Sequence, residues 1–123
     1  MKTKLDYLKN FKDQMVIFLD ELIEQFPTEP IFIFLRIFVK DKIPIKILVD
    51  QFITDVLPHE NLIKNRDELF FTNTQLIGYP NKPKFFHDFW FSDYLDKNDK
   101  EIIWKWIDVF VILAKKIQQS SSN

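Results

Sequence analysis

Cysteine is absent from the sequence, and glycine and alanine each occur once, as Gly78 and Ala114. The absence of cysteine excludes disulfide frameworks, thiolate nucleophiles and cysteine-based zinc sites. A single glycine excludes the phosphate-binding P-loop and the dinucleotide-binding fingerprint, because both need several glycines where the backbone approaches phosphate. The two histidines, His59 and His87, stand in different predicted elements without a paired spacing. We therefore expect no metal and no cofactor.

Long apolar runs and an excess of one charge are also missing. The longest apolar stretch, residues 31–39, is interrupted by Arg36, whereas a membrane span needs about 20 apolar residues. Lysines and carboxylates interrupt every apolar run near Met1, so neither a secretory signal nor a membrane anchor is expected. The formal net charge is −1. Nucleic-acid binding would therefore depend on a local basic patch.

The sequence does contain regularly spaced apolar residues, which make up 46% of the chain together with 28% charged residues. Apolar residues three or four apart predict amphipathic helices over residues 4–26, 45–56 and 97–118. Weaker patterns predict a surface helix over 59–72 and a short helix over 85–95. Residues 73–83 contain the glycine and two prolines and are predicted to form the one substantial loop.

The run over residues 31–39 is almost wholly apolar, so its periodicity cannot separate a buried helix from a buried strand. We favour the helix, because an isolated strand would have no evident partner. The chain is then predicted to be all-α, a single compact bundle of five or six helices. The domain is expected to cover residues 1–119, with a frayed tail over 120–123.

Two tryptophans in the last predicted helix bear on function. Trp104 and Trp106 are two residues apart, so they point about 200° apart on a helix and cannot share the centre of one buried stripe. The stripe of Ile103, Trp106 and Phe110 leaves Trp104 to one side, one heptad before Val111. Trp104 and Val111 are accordingly a candidate partner interface, since tryptophan is enriched at binding hot spots. The alternative is that another helix of the bundle covers Trp104.

Other residue sets suggest chemistry more weakly. A stacking platform with phosphate contacts could form from five residues near the predicted loop, namely Lys82, Lys84, Phe85, Phe86 and Trp90. The alternative reading is an aromatic core face that follows a solvated loop. The acidic residues Asp93, Asp96, Asp99 and Glu101 lack the glycine of a calcium loop, and helix capping accounts for Asp96 and Asp99. Paired carboxylates for hydrolysis meet only in a fold, so a small hydrolase stays an alternative.

Four segments carry a resemblance to a group of known proteins. They are FLDELIEQFP at 18–27, KDKIPIKILVDQF at 40–52, IKNRDELFF at 63–71 and DKNDKEIIWKWIDVF at 96–110. These segments resemble small helical proteins of unassigned function encoded by large nucleocytoplasmic DNA viruses. The resemblance implies a viral protein located in the host cytoplasm, a virus factory or the virion, and it carries no active site.

The favoured hypothesis is a non-enzymatic protein-interaction or structural module that binds a protein partner or a second copy of itself. Its basis is a surplus of large apolar side chains over what one stripe per helix can bury, since exposed apolar patches usually mark partner surfaces. The alternatives are a nucleic-acid-associated factor in viral transcription or packaging, and the small hydrolase.

Overall fold

The structure is a computed structural model, and it describes residues 2–78 and 84–120. Every regular element within these ranges is helical, and the helices pack as an all-α bundle, which confirms the predicted fold class. The α-helices are α1 (Lys4–Gln25), α2 (Ile31–Ile37), α3 (Ile45–Asp55), α4 (Glu60–Lys64), α5 (Leu69–Asn73), α6 (Phe85–Trp90) and α7 (Lys97–Gln119). A π-helical turn, Phe38–Lys42, extends α2, and a 3-10 turn, Leu57–His59, precedes α4.

The two long helices begin with capping boxes. The Thr3 hydroxyl accepts a hydrogen bond from the Asp6 amide, and the Asp6 carboxylate accepts one from the Thr3 amide. Asp96 and Asp99 form the same reciprocal pair at the start of α7. Each box satisfies two amides that the helix itself leaves unpaired. The prediction that Asp96 caps the last helix is therefore confirmed.

The centre of the bundle is an aromatic cluster from three helices. Phe11 and Phe18 of α1 and Phe52 of α3 surround Phe110 of α7, with ring centroids 5.2–6.2 Å apart. α1 packs against α7, and the contacts of Phe11 with Phe110 and of Glu21 with Trp106 show that the two helices run antiparallel. The apolar stripes of α1, α3 and α7 face this cluster, as their spacing predicts.

Residues 31–37 are helical and continue into the π-helical turn, so the preference for helix over strand is confirmed. Phe32 is fully buried against Phe85 and Phe89 of α6, at centroid distances of 5.2 and 5.0 Å. Arg36 pairs with Asp20 and ties α2 to the side of α1.

The predicted surface helix over residues 59–72 is wrong, because the chain breaks between α4 and α5. Arg66 lies in the break with a left-handed φ of 53°. Its guanidinium donates to Asp108 of α7 over 3.0 and 2.7 Å and to the carbonyl oxygen of Ile63 over 3.0 Å. A left-handed backbone costs a non-glycine residue roughly 1–2 kcal/mol, so we attribute the break to this two-point pair across the bundle.

The segment predicted as a loop, residues 73–83, is only partly described. Its first half contributes to the core through Leu76 and Ile77, which are both buried. The amide of Gly78 donates to the Gln51 side chain over 3.1 Å and joins this segment to α3. Residues 79–83 lie outside the described part, as do 121–123 of the predicted tail, whereas Ser120 is the C-cap of α7.

Candidate interaction surfaces

The predicted interface of Trp104 and Val111 is wrong, because both residues are buried, and Trp104 is only 4% exposed. The Trp104 ring contacts Phe70 and Phe71 of α5 and Trp90 of α6, with centroids 5.1–6.0 Å apart. Val111 lies one helical repeat further along the same side of α7. The alternative, that another helix of the bundle covers Trp104, is correct. α7 is covered on two sides, by α1 and by the α5–α6 pair.

Trp106 occupies the opposite edge of the buried face and is only half-buried. Its ring packs on Phe18 and Phe110, and its indole Nε1 donates to the Glu21 carboxylate over 2.6 Å. Trp106 also lines a pocket of about 330 Å³ between the end of α1 and the start of α7. Glu21, Glu24 and Asp99 stand around this pocket, whose floor is apolar.

The predicted nucleic-acid patch does not form as a stacking platform. Phe86 and Trp90 are buried core residues, and Phe85 is partly buried against Phe32. Lys84 is exposed beside them, and Lys82 lies outside the described residues. Bases stack on exposed aromatic faces, so this set offers no open ring to a nucleic acid.

Trp90 belongs to a polar cluster on the surface beside Trp104. Its indole Nε1 donates to Glu68, and the Lys100 ammonium donates to the same carboxylate over 3.1 Å. The Lys100 nitrogen also lies 5.1 Å above the Trp90 ring, while the Arg66 guanidinium lies 5.5 Å above Trp104. These hydrogen bonds lower the pKa of Glu68, and the bond from Lys100 has the largest effect. The cluster closes the aromatic core from the outside.

The outward face of α2, formed by Ile33, Phe34 and Ile37, is the feature that sequence reasoning missed. These side chains are 48%, 54% and 41% exposed, and they adjoin one another at helical spacings of three and four. The opposite side of α2 is buried through Ile31, Phe32 and Leu35, so both of these sides are apolar and Arg36 is the one charged residue of the helix. The sequence contained this signal in its almost wholly apolar run over residues 31–39, which indicated a buried helix. The bundle supplies cover for only one side.

A second surface is an open groove of about 1070 Å³ between the first half of α1 and the connection from α2 to α3. Apolar side chains form its floor: Val16, Ile17, Ile43, Pro44 and Ile45. Six charged residues form its rim: Lys9, Lys12, Asp13, Lys40, Asp41 and Lys42. The lysines come from two segments about 30 residues apart, so only the packing of the π-helical turn on α1 assembles them.

Comparisons with known proteins give no relative, since no protein-family model, no curated protein and no solved structure matches the chain. Among the described residues, no group of three or more histidine, aspartate and glutamate side chains is placed to hold a metal ion. Within the same residues, no helix is both long enough and apolar enough to cross a membrane.

Proposed function

We propose that this protein is a non-enzymatic protein-interaction module, and that a protein partner or a second copy of the chain docks on the outward face of α2. The observation that carries the proposal is the exposure of Ile33, Phe34 and Ile37 side by side on one face. Single exposed apolar residues are ordinary on a protein surface, whereas a contiguous apolar patch usually marks an interaction site.

The position of Phe34 suits a binding hot spot. Its ring is the largest side chain of the outward face and is flanked by two isoleucines. Aromatic anchors surrounded by smaller apolar contacts carry a large share of the energy in many interfaces. Helix α2 is held rigidly from behind, by its buried side and by the Arg36–Asp20 pair, so little conformational entropy is lost on binding.

Site-specific photocrosslinking tests the proposal. A photoreactive phenylalanine analogue is placed at position 34 of the full chain in cells that express it. The matched control is position 112, because Ile112 is equally exposed, at 54%, but stands on the outward side of α7. We expect a discrete adduct, with a protein or with the chain itself, from position 34 and not from position 112. The adduct should disappear when Ile33→Lys and Ile37→Lys are introduced together.

Two outcomes would contradict the proposal. One is the absence of any discrete adduct at position 34 while the protein is folded and expressed. The other is an identical set of adducts at positions 34 and 112, which would indicate non-specific contact. A circular dichroism spectrum of the Ile33→Lys/Ile37→Lys variant serves as the folding control, since both substitutions replace exposed side chains.

The viral setting is part of the proposal and is supported by the four resembling segments alone. On that basis the partner belongs to the virion or to the cytoplasmic virus factory. Immunolocalisation of the chain in infected cells tests this, with a nuclear or extracellular signal as the contrary result.

A further inference from the structure

We infer that the groove between α1 and the α2–α3 connection binds an acidic, amphipathic segment of a protein partner. This surface differs from the outward face of α2, and the inference does not need that face to be the docking site. It rests on three properties of the groove: its apolar floor, its positively charged rim and its length.

The floor supplies the apolar part of the interaction. Ile17 is 44% exposed although it stands in the middle of α1, and Val16, Ile43 and Ile45 beside it are only partly buried. Branched aliphatic side chains in a concave surface are released from water when a matching apolar residue covers them. Each such contact favours an aliphatic or aromatic residue in the partner.

The rim determines the sign of the partner's charge. Four lysines stand around the floor against two aspartates, so the rim is positive although the whole chain has a net charge of −1. None of these four lysines forms a salt bridge with a carboxylate of the described residues, in contrast to Lys64, Lys100 and Lys115. Lys12, Lys40 and Lys42 are therefore available to carboxylates from outside, whereas Lys9 also interacts with Asp6 of the same helix. Complementary charge of this kind raises the association rate and selects among partners.

The length of the groove indicates what kind of segment fits. Lys9 and Ile17 are eight residues apart along α1, which corresponds to roughly 12 Å, or about two helical turns. A partner helix of two to three turns would place apolar residues at i, i+3 and i+4 on the floor and carboxylates toward the lysines. Binding of an amphipathic helix in an apolar groove is a recurrent mode of peptide recognition.

Two other polyanions fit the groove less well. Nucleic acid favours exposed aromatic rings for stacking, and the floor contains none, while Asp13 and Asp41 repel phosphates. An anionic bilayer is planar, so it meets the rim but cannot fill the concave floor. Nucleic acid and anionic lipid are therefore contrary outcomes of the test.

The test begins with a random 16-residue peptide library displayed against the immobilised full chain. We expect the enriched peptides to carry a net negative charge, with aliphatic or aromatic residues at helical spacing. A parallel selection uses the Lys40→Glu/Lys42→Glu variant and should lose these peptides. The matched control is Lys105→Glu/Lys116→Glu, which makes the same change of charge on the exposed side of α7 and should retain them.

Fluorescence anisotropy with the most enriched peptide then quantifies binding. We expect Lys40→Glu/Lys42→Glu to weaken binding by about tenfold or more, and Ile17→Ser to weaken it by about threefold or more. Affinity should fall as salt is raised from 50 to 300 mM, since ion pairs at an exposed rim are screened. Circular dichroism checks that each variant is folded.

Several results would overturn the inference. The inference fails if the enriched peptides are neutral or basic, or if no peptide is enriched. It also fails if the Lys40→Glu/Lys42→Glu variant binds the peptide as well as the wild type does. Lysine-dependent binding of a single-stranded oligonucleotide or of phosphatidylserine vesicles that is tighter than peptide binding would overturn it too. If peptide binding is lost with Phe34→Lys and kept with the groove variant, the groove inference fails while the proposed function stands. Peptide binding lost only with the groove variant supports the groove, and photocrosslinking at position 34 separately decides the α2 face.

Discussion

At the scale of single residues, the structure reverses the roles predicted for the two tryptophans of α7. Trp104 is the buried residue, and Trp106 is the partly exposed one. The spacing correctly separates them by about 200°, but it cannot tell which edge of the buried face the rest of the bundle covers more fully. Trp104 is enclosed by three aromatic rings of α5 and α6, whereas Trp106 has one neighbouring helix and keeps part of its ring in solvent. The difference should be visible in the free energy of unfolding.

We expect Trp104→Ala to cost about 3–5 kcal/mol of stability, because it removes the centre of a closed aromatic cluster and leaves a cavity. Trp106→Ala should cost roughly 1–2 kcal/mol, since its ring is half-buried and its hydrogen bond to Glu21 is exposed. Urea denaturation of the two variants measures both values. A larger loss from Trp106→Ala would contradict the enclosure of Trp104.

Glu68 should make part of the stability depend on pH. Hydrogen bonds from Lys100 and Trp90 lower its pKa below the ordinary 4.5 in the folded chain. A carboxylate with a lowered folded pKa contributes stability above its unfolded pKa and loses that contribution as pH falls through its folded pKa. Glu68→Gln should therefore destabilise the protein at pH 7, with a difference from the wild type that shrinks below about pH 4.

Thermal denaturation at pH 7 and at about pH 3 measures this difference. The control is Glu24→Gln, which removes an exposed carboxylate that has no salt bridge to a described residue. A destabilisation by Glu68→Gln that is the same at both pH values would contradict the assigned role of the ionised carboxylate.

At the scale of the elements, we attribute the break between α4 and α5 to one ion pair. Arg66 holds its left-handed backbone while its guanidinium binds both oxygens of Asp108, 42 residues further along the chain. The two side chains are 34% and 41% exposed, so solvent screening reduces the strength of the pair.

A double-mutant cycle of Arg66→Ala and Asp108→Ala should give a coupling energy of about 0.5–2 kcal/mol. Hydrogen exchange should show faster opening of residues 60–73 in either single variant, with α1 and α3 unaffected. A coupling energy near zero would show that the break is fixed by the aromatic contacts of Phe70 and Phe71 instead.

The elements also show what could be predicted from the sequence. α1, α3 and α7 follow from apolar residues three and four apart, because each buries a single stripe. The break at Arg66 could not be predicted, since its cause is a contact with a distant helix. The burial of Leu76 and Ile77 inside a predicted loop was missed for a similar reason: the adjacent Gly78 is hydrogen-bonded to Gln51 of α3, a contact between distant elements.

For the candidate surfaces, prediction from sequence was poorer still. The apolar run at residues 31–39 predicted a helix, but only the packed bundle shows that half of it stays uncovered. The lysines of the groove are two pairs about 30 residues apart, and nothing in either pair alone predicts that they meet. A surface assembled from separate elements leaves no local pattern in the sequence.

At the scale of the whole molecule, aromatic side chains from three helices pack at the centre of the bundle. We expect EDTA to leave the midpoint of thermal unfolding unchanged within about 1 °C, because stabilisation by a structural metal would be lost on chelation. The far-ultraviolet circular dichroism spectrum should be dominated by helix before and after the addition. A clear fall of the midpoint with EDTA would show that a metal site exists outside the contacts described above.

The antiparallel pairing of α1 with α7 has a consequence for synthesis on the ribosome. Glu21 and Trp106, which hold the two helices together, are 85 residues apart. At 5–20 residues per second, roughly 4–17 s pass between the translation of one and the other. During that interval α2 and α3 can cover part of the apolar side of α1, but the part that faces α7 stays uncovered, and the core cannot close before α7 is made. Chaperones that bind exposed apolar segments would find the α7-facing side of α1 accessible until α7 has left the exit tunnel.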